Sequence, residues 1–325
     1  MRVDPKPRVQ RRPVHGVLLL DKPLNLSSNQ ALQKAKWLLR AEKAGHTGTL
    51  DPLATGVLPI CFGAATKFSQ QHLDAIKRYQ ATVLLGQATS TGDREGEVVR
   101  TEAVPAIQHA QVAELAARMQ GPMRQTPPMY SALKKDGKAL YKYARAGEVV
   151  ERESRQIEIY KINLTLSHTS EGAVAIEIDV TCSKGTYIRT LGEDVAKALG
   201  TVGHLIALRR VDTGPFTEAQ CVTLADLEAM DDAQRLQTLQ PVDVLLGDHE
   251  PVVLQEHDAA RFLSGLRRRT PLPDTEAVRV FGPSNGSNPP LLGTAHIQSG
   301  ELIPDRLLNP PEIEQIARQA TLALA

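Results

Sequence analysis

Asp51 is the only carboxylate in the stretch AGHTGTLDPLATGVLPI, residues 44–60, and Pro52 follows it at once. An acid so placed is ordinarily a turn or helix-cap residue. Here, glycines let the backbone approach a ligand closely, and prolines stiffen the segment. No second acid lies in the loop, so a paired-carboxylate mechanism has no local support. A lone carboxylate suits nucleophilic or electrostatic work at a sugar. The second candidate is Arg189, in SKGTYIRTLGEDV (183–195). Ile188, Leu191 and Val195 recur at helical spacing, which puts Tyr187 and Arg189 at a strand-to-helix junction. An arginine there gains nothing from the helix dipole. It is either a surface residue or the partner of a buried carboxylate, whose pKa it would lower. Tyr79 reads as a core tyrosine or a ring in the site, and His46 as a structural or incidental histidine. Lys22 and Lys67 flank loops, as solvated residues or substrate contacts.

Several elements must position these groups. HGVLLLDKP is a continuous apolar run ended by a turn, hence a buried strand, and SSNQALQKAKWLLR follows as a helix capped by Ser27 or Ser28. In RYQATVLLG, Tyr79, Ala81, Val83 and Leu85 share one face of a strand. GAVAIEIDVTCS alternates in the same way. RQIEIYKINLTL changes phase between Ile159 and Ile162, the mark of a bulge. Helical patterns cover about 106–120, 138–146, 187–199 and 222–238. Strands and helices mix without regular βαβ spacing, which predicts an α+β fold on a mainly antiparallel mixed sheet. After residue 249 the texture changes to short alternating runs between turns, a small β-rich C-terminal domain. The predicted division is a disordered basic arm over 1–13, a main domain over 14–248 and the β-rich domain over 249–325.

Charge is unevenly spread. Residues 1–50 hold ten Lys/Arg against three acids, while 221–258 hold nine acids and one base. That asymmetry points to a polyanionic partner, or else to a solvated basic arm and an acidic surface helix. Within 121–152, Tyr130, Tyr141 and Tyr143 interleave with lysines and arginines, a pattern suited to nucleic-acid contact or to a plain surface hairpin and helix. Three cysteines without metal-like spacing fit a reducing compartment. The apolar run after the basic start ends at Asp21, short of an export leader, and no run is long enough to span a membrane. A cytoplasmic protein is expected.

Taken together, GVLLLDKP, GHTGTLDPLATGVLPICFGAATKF, KRYQATVLLG, PPMYSALKKDGKALYKYAR and CSKGTYIRTLGEDVAKALG resemble the TruB family of tRNA pseudouridine synthases, over about residues 14–215. The part after 249 resembles in outline the small PUA-like RNA-binding domain of many members. The resemblance implies isomerisation of uridine 55 in the tRNA T loop, by base flipping and with no cofactor or metal. It implies Asp51 as nucleophile, Tyr79 as the ring stacked on the base, and Arg189 as partner of the aspartate. Tyr187, His46 and Leu208 would contact the flipped nucleotide, with Lys22 and Lys67 as further substrate-binding candidates. It further implies tRNA, through its T-stem-loop, as partner, a stand-alone monomer, and 121–152 as an RNA-contacting insertion. Three readings compete: the guide-RNA-dependent branch of the same chemistry, a non-catalytic RNA-binding protein, and a base-excising glycosylase.

Overall fold

The computed structural model describes residues 10–284 and 288–324. In chain order the elements begin β1 (Gly16–Lys22), α1 (Ser28–Leu38), β2 (Ala44–His46), β3 (Ala54–Phe62), α2 (Ser69–Leu73), β4 (Lys77–Leu85), β5 (Gln87–Thr89) and β6 (Val98–Thr101). They continue with α3 (His109–Met119), β7 (Gly121–Gln125), β8 (Lys134–Lys135), β9 (Lys138–Ala139), α4 (Leu140–Arg145), β10 (Arg155–His168) and β11 (Val174–Cys182). Next are α5 (Ile188–Ala198), β12 (Gly203–Thr213), β13 (Phe216–Thr217), α6 (Leu224–Ala229) and α7 (Asp232–Gln237).

The large sheet runs β1-β3-β12-β4-β11-β10-β7, with β2 beside β3 and β13 beside β12. Among the described residues its pairings are antiparallel except β3 with β12. This is the expected α+β, mainly antiparallel mixed sheet. Burial explains the two kinds of strand pattern. β1 is covered on both faces: Leu18 and Leu20 enter the main core, whereas Val17 and Leu19 enter a second core with Phe68 and Phe216. A strand buried on both sides reads as an unbroken apolar run. β4 and β11 face the core on one side only, so Tyr79, Ala81 and Val83 alternate with more exposed residues. The predicted bulge falls between Ile159 and Lys161.

The Ser27 side chain caps α1 in a reciprocal box with Gln30. α5 lies close on the sheet because Gly192 carries no Cβ; one there would stand 3.0 Å from both Leu205 and Val83. The helical pattern over 222–238 resolves into two short helices. Thr223 caps α6 and Asp231 caps α7, so a new N-terminus interrupts the run.

Beyond residue 249 lie β14 (Glu250–Val253), α8 (Glu256–Leu263), β15 (Arg268–Arg269), β16 (Thr275–Phe281), β17 (Leu291–Gln298), β18 (Glu301–Leu307) and α9 (Pro310–Leu324). Their strands form a separate sheet, β14-β16-β17-β18-β15, around Phe262, Val278 and Val280. α9 returns to the main body: Gln315 and Gln319 hydrogen-bond His15, and Glu312 pairs with Lys67 at 2.6 Å. Residues 1–9 of the expected arm lie outside the described residues. From residue 11 the chain is tied down, because Arg11 and Arg12 donate to the Lys36, Leu39 and Ala41 carbonyls at the C-terminal end of α1.

Gly56 and Gly172 both have positive φ, at +98° and +83°. A Cβ on Gly56 would also stand 2.1 Å from the Arg210 carbonyl, whereas one on Gly172 meets open space. In urea titrations we expect Gly172→Ala to lose only backbone strain, about 1–3 kcal/mol. Gly56→Ala should lose clearly more, and equal losses would refute the close approach of β3 to β12.

Candidate active site

The Asp51 loop is clamped from behind. Lys22, fully buried, donates to the carbonyls of Pro23 at 2.9 Å, Leu26 at 2.5 Å and Pro52 at 3.4 Å. Burial lowers its ammonium to about 8. The Ser28 hydroxyl donates to the Leu50 carbonyl at 2.9 Å and accepts from the Leu50 N–H at 2.7 Å. The Asn25 N–H binds the Pro52 carbonyl and the Ala54 N–H binds the Asp51 carbonyl, both at 3.0 Å. Gly48, at φ +90°, supplies the left-handed residue in the turn. The start of α1 thus holds the loop that carries Asp51.

On the other side of the carboxylate stands Arg189, from the first turn of α5. Its Nε lies 3.0 Å from Asp51 Oδ2 and 3.7 Å from Asp93 Oδ2. Its Nη1 donates to the Thr91 carbonyl at 2.9 Å and its Nη2 to the Tyr130 carbonyl at 2.6 Å. Asp93 is itself fixed, accepting from the Thr91 hydroxyl at 2.6 Å and the Glu95 N–H at 3.1 Å. A guanidinium anchored in this way has one orientation, and Asp51 takes its position from it. The Asp51 carboxyl nevertheless stands above its ordinary range. Burial raises it, Asp93 adds to that, and Arg189 and Lys22 pull against it. The lowering expected from the arginine is present but outweighed by desolvation.

A cavity of about 330 Å³ opens in front of the carboxylate. Asp51, Tyr79, Tyr187, Arg189 and Leu208 all line it, as do Lys77, Arg210 and Ser131 to Leu133. Tyr79 is 8% exposed, and burial raises its phenol, with Arg210 opposing. At neutral pH the ring is therefore a neutral platform. The Gln125 side chain grips the Tyr187 backbone, accepting from its N–H at 2.7 Å and donating to its carbonyl at 3.1 Å. Burial likewise raises the Tyr187 phenol. Lys77 is buried beneath the cavity and lowered to about 8, donating to the Leu73 carbonyl at 2.9 Å.

The remaining candidates lie elsewhere. His46, on β2, is outside the cavity lining; its Nδ1 is buried with no partner among the described residues. Lys22 stands behind the loop. Lys67 is tied to Glu312 and to the Leu307 carbonyl at 3.0 Å, where α9 meets the main body. Sequence reasoning missed Asp93 and Arg210. Asp93 sits in a polar turn, STGDREGE, with no pattern to separate it from other turn acids. Arg210 did leave a signal: it lies two residues from Leu208 in an apolar run, so a strand would put both on one face.

Comparison with known sequences then decides the relationship. Residues 36–188 match the TruB family pseudouridylate synthase N-terminal domain, and residues 189–247 the tRNA pseudouridylate synthase B C-terminal domain. A protein of Verminephrobacter eiseniae named tRNA pseudouridine synthase B is 59% identical over 311 residues, 95% of this chain and 93% of its own length. One of the same name from Cupriavidus metallidurans is 53% identical over 310 residues, 93% of this chain and 96% of its own. The chain belongs to the TruB family of pseudouridine synthases. It is therefore an RNA-modifying isomerase. The crystal structure of a Cbf5-Nop10-Gar1 complex contains a chain of the same fold, with a TM-score of 0.67 at 22% identity, covering 96% of this chain and 93% of that one. Among the described residues no helix is long and apolar enough to cross a membrane.

If ionised Asp51 is the working form, activity falls as pH drops through its pKa. In single-turnover assays we expect that acid limb above the ordinary carboxylate value of 3.8. Arg189→Gln removes a cation that favours the carboxylate, so its limb should move to higher pH as its plateau falls. An unmoved limb would show that Arg189 does not set the charge of Asp51.

Proposed function

We propose that this chain converts uridine 55 in the T loop of tRNA to pseudouridine, acting alone, with Asp51 as nucleophile. The observation that carries the reading is a single carboxylate at the mouth of a nucleoside-sized cavity, held 3.0 Å from a buried arginine that is itself anchored to two backbone carbonyls. A stacked uridine cannot present its glycosidic bond to such a cavity. The base must be flipped out, at a cost of about a few kcal/mol. Tyr79 would then stack on it, with Leu208 on the wall and Tyr187 near the ribose. The reaction breaks the C1′–N1 bond, turns the uracil and joins C5 to C1′. The base is both leaving group and returning nucleophile, so no redox or group-transfer partner is needed.

The surrounding surface supports an RNA substrate. The 121–152 segment brings Ser131 to Leu133 to the cavity wall, while Lys134, Lys135, Lys142 and Arg145 stay exposed. Residues that reach the site and cations that reach solvent thus share one segment, as T-stem-loop binding across the cavity mouth would require. The β-rich unit over 249–325, PUA-like in this reading, would extend the contact along the tRNA, and 14–248 would be the catalytic domain. Relatives at more than 50% identity bear the name tRNA pseudouridine synthase B. That favours the stand-alone reading over the guide-dependent one, in which the fold alone is shared.

The test uses tRNA transcripts carrying tritium at C5 of uridine. We expect one equivalent of tritium released per tRNA, pseudouridine mapped at position 55, and no release from a transcript with cytidine there. Release of free uracil would identify a glycosylase instead. No release from protein that binds the tRNA would contradict the proposal.

A further inference from the structure

Arg210 is a buried guanidinium at the site with no anion beside it. It is 1% exposed, and among the described residues no carboxylate forms an ion pair with it. Its Nε donates to the Val57 carbonyl at 2.8 Å and its side chain also serves the Tyr79 hydroxyl, but its Nη2, also buried, has no hydrogen-bond partner among the described residues. On β12 it stands directly across from Tyr79 of β4 on one side and Gly56 of β3 on the other. Its Nη1 lies 3.4 Å from where a Cβ on Gly48 would be, and both Gly48 and Arg210 line the cavity. The guanidinium therefore sits among the loop of the carboxylate, the tyrosine ring and Leu208.

A buried guanidinium with an idle donor is costly to keep. A structural role in tying β12 to β3 needs only the Nε–H. The cost is offset if an acceptor arrives with the substrate. Resting on the pseudouridine-synthase reading above, we propose that Arg210 donates a hydrogen bond to a carbonyl oxygen of the flipped uracil and stabilises the negative charge gathering there. The electron count makes that charge unavoidable. If an Asp51 oxygen bonds C1′, the C1′–N1 bond breaks, its electron pair stays on the uracil, and the charge spreads over O2 and O4. If instead the oxygen bonds C6, the C5=C6 pair moves through C4 onto O4. Either course gains from a fixed positive partner at a uracil oxygen. The charge is withdrawn again when C5 bonds C1′ and the Asp51 carboxylate leaves; the C5 proton then departs as N1 takes one up. Arg189 is committed elsewhere, its Nε to Asp51 and its Nη1 and Nη2 to the Thr91 and Tyr130 carbonyls. Arg210 is a catalytic residue in this account because it touches the reacting base.

The test is a cycle of protein and substrate substitutions, read as single-turnover rates. T-stem-loop RNAs carry uridine, 2-thiouridine or 4-thiouridine at the target position, sulfur being a poorer acceptor than oxygen. With wild-type protein we expect one thio substitution to slow the reaction about tenfold or more. Arg210→Gln should slow the natural substrate about 100-fold or more, the size of effect seen when an oxyanion donor is removed. In that variant the same thio substitution should then cost little, since the bond is already lost. RNA affinity should stay near wild type, and the variant should remain folded although its Val57 contact is lost. Arg210→Lys, which keeps a charge without the fork, carries the same cycle if the glutamine variant does not fold. A purely structural arginine would give rate losses that multiply, and that result overturns the proposal. So would a wild type indifferent to both thio substitutions, whatever the variants do. Failure of wild type to make pseudouridine from ordinary uridine would instead defeat the underlying reading.

Discussion

The contact on which the site depends is that between Arg189 and Asp51. A carboxylate facing a cavity will swing, protonate or pair with whatever cation is near unless something holds it. Arg189 holds it through one edge of a plane whose other edges are nailed to two backbone carbonyls and faced by Asp93. Those carbonyls, of Thr91 and Tyr130, belong to segments far apart in the chain. The ion pair thus draws four regions to one point: the loop before β3, the turn after β5, the 121–152 segment and the start of α5. Its worth is geometric more than energetic, since a buried pair returns little net stability after desolvation. It fixes where the Asp51 carboxyl is, and it moderates, without reversing, the upward push of burial on it.

The sheet supplies the second constraint. β3, β12 and β4 are neighbours, and in register they place Gly56, Arg210 and Tyr79 side by side. Leu208 falls on the same face two residues earlier. The glycine lets β3 come within contact of the β12 backbone, and the tyrosine and arginine then share the space above it. Arg189 is engaged by Asp51 and two backbone carbonyls, while Arg210 keeps a buried Nη2 with no hydrogen-bond partner among the described residues. Such a division suits a reaction in which a permanent negative charge sits on one side and a transient one appears on the other.

Much of this was legible in the sequence where a local rule had one consequence. Alternation in RYQATVLLG and GAVAIEIDVTCS gave strands because each has one covered face. The phase change in RQIEIYKINLTL gave the bulge. The loop of Asp51 stood out through its glycines and prolines, and Ser27 through its cap. What stayed hidden depends on distant partners. β12 has Arg209 and Arg210 in the middle of an apolar run, and only its neighbours on both sides make it a central strand. Asp93 reaches the site because its turn is bridged to Leu205. α9 was not anticipated, although its residues fold back on His15 and Lys67. Lys67 looked available as a loop lysine until that helix was placed against it. The break between α6 and α7 turned on Asp231, a cap residue that a helical pattern absorbs without notice.

The nucleophile is the claim that the rest of the account serves. The direct measurement is the single-turnover rate of pseudouridine formation by Asp51→Asn on a T-stem-loop RNA, with binding measured on the same samples. Asparagine keeps the size of the side chain and a hydrogen-bond acceptor toward Arg189, and removes the charge. The account predicts near wild-type affinity and a rate lower by on the order of 10⁴-fold or more, as for other lost nucleophiles. A folded, RNA-binding Asp51→Asn protein that forms pseudouridine within tenfold of wild type would contradict it.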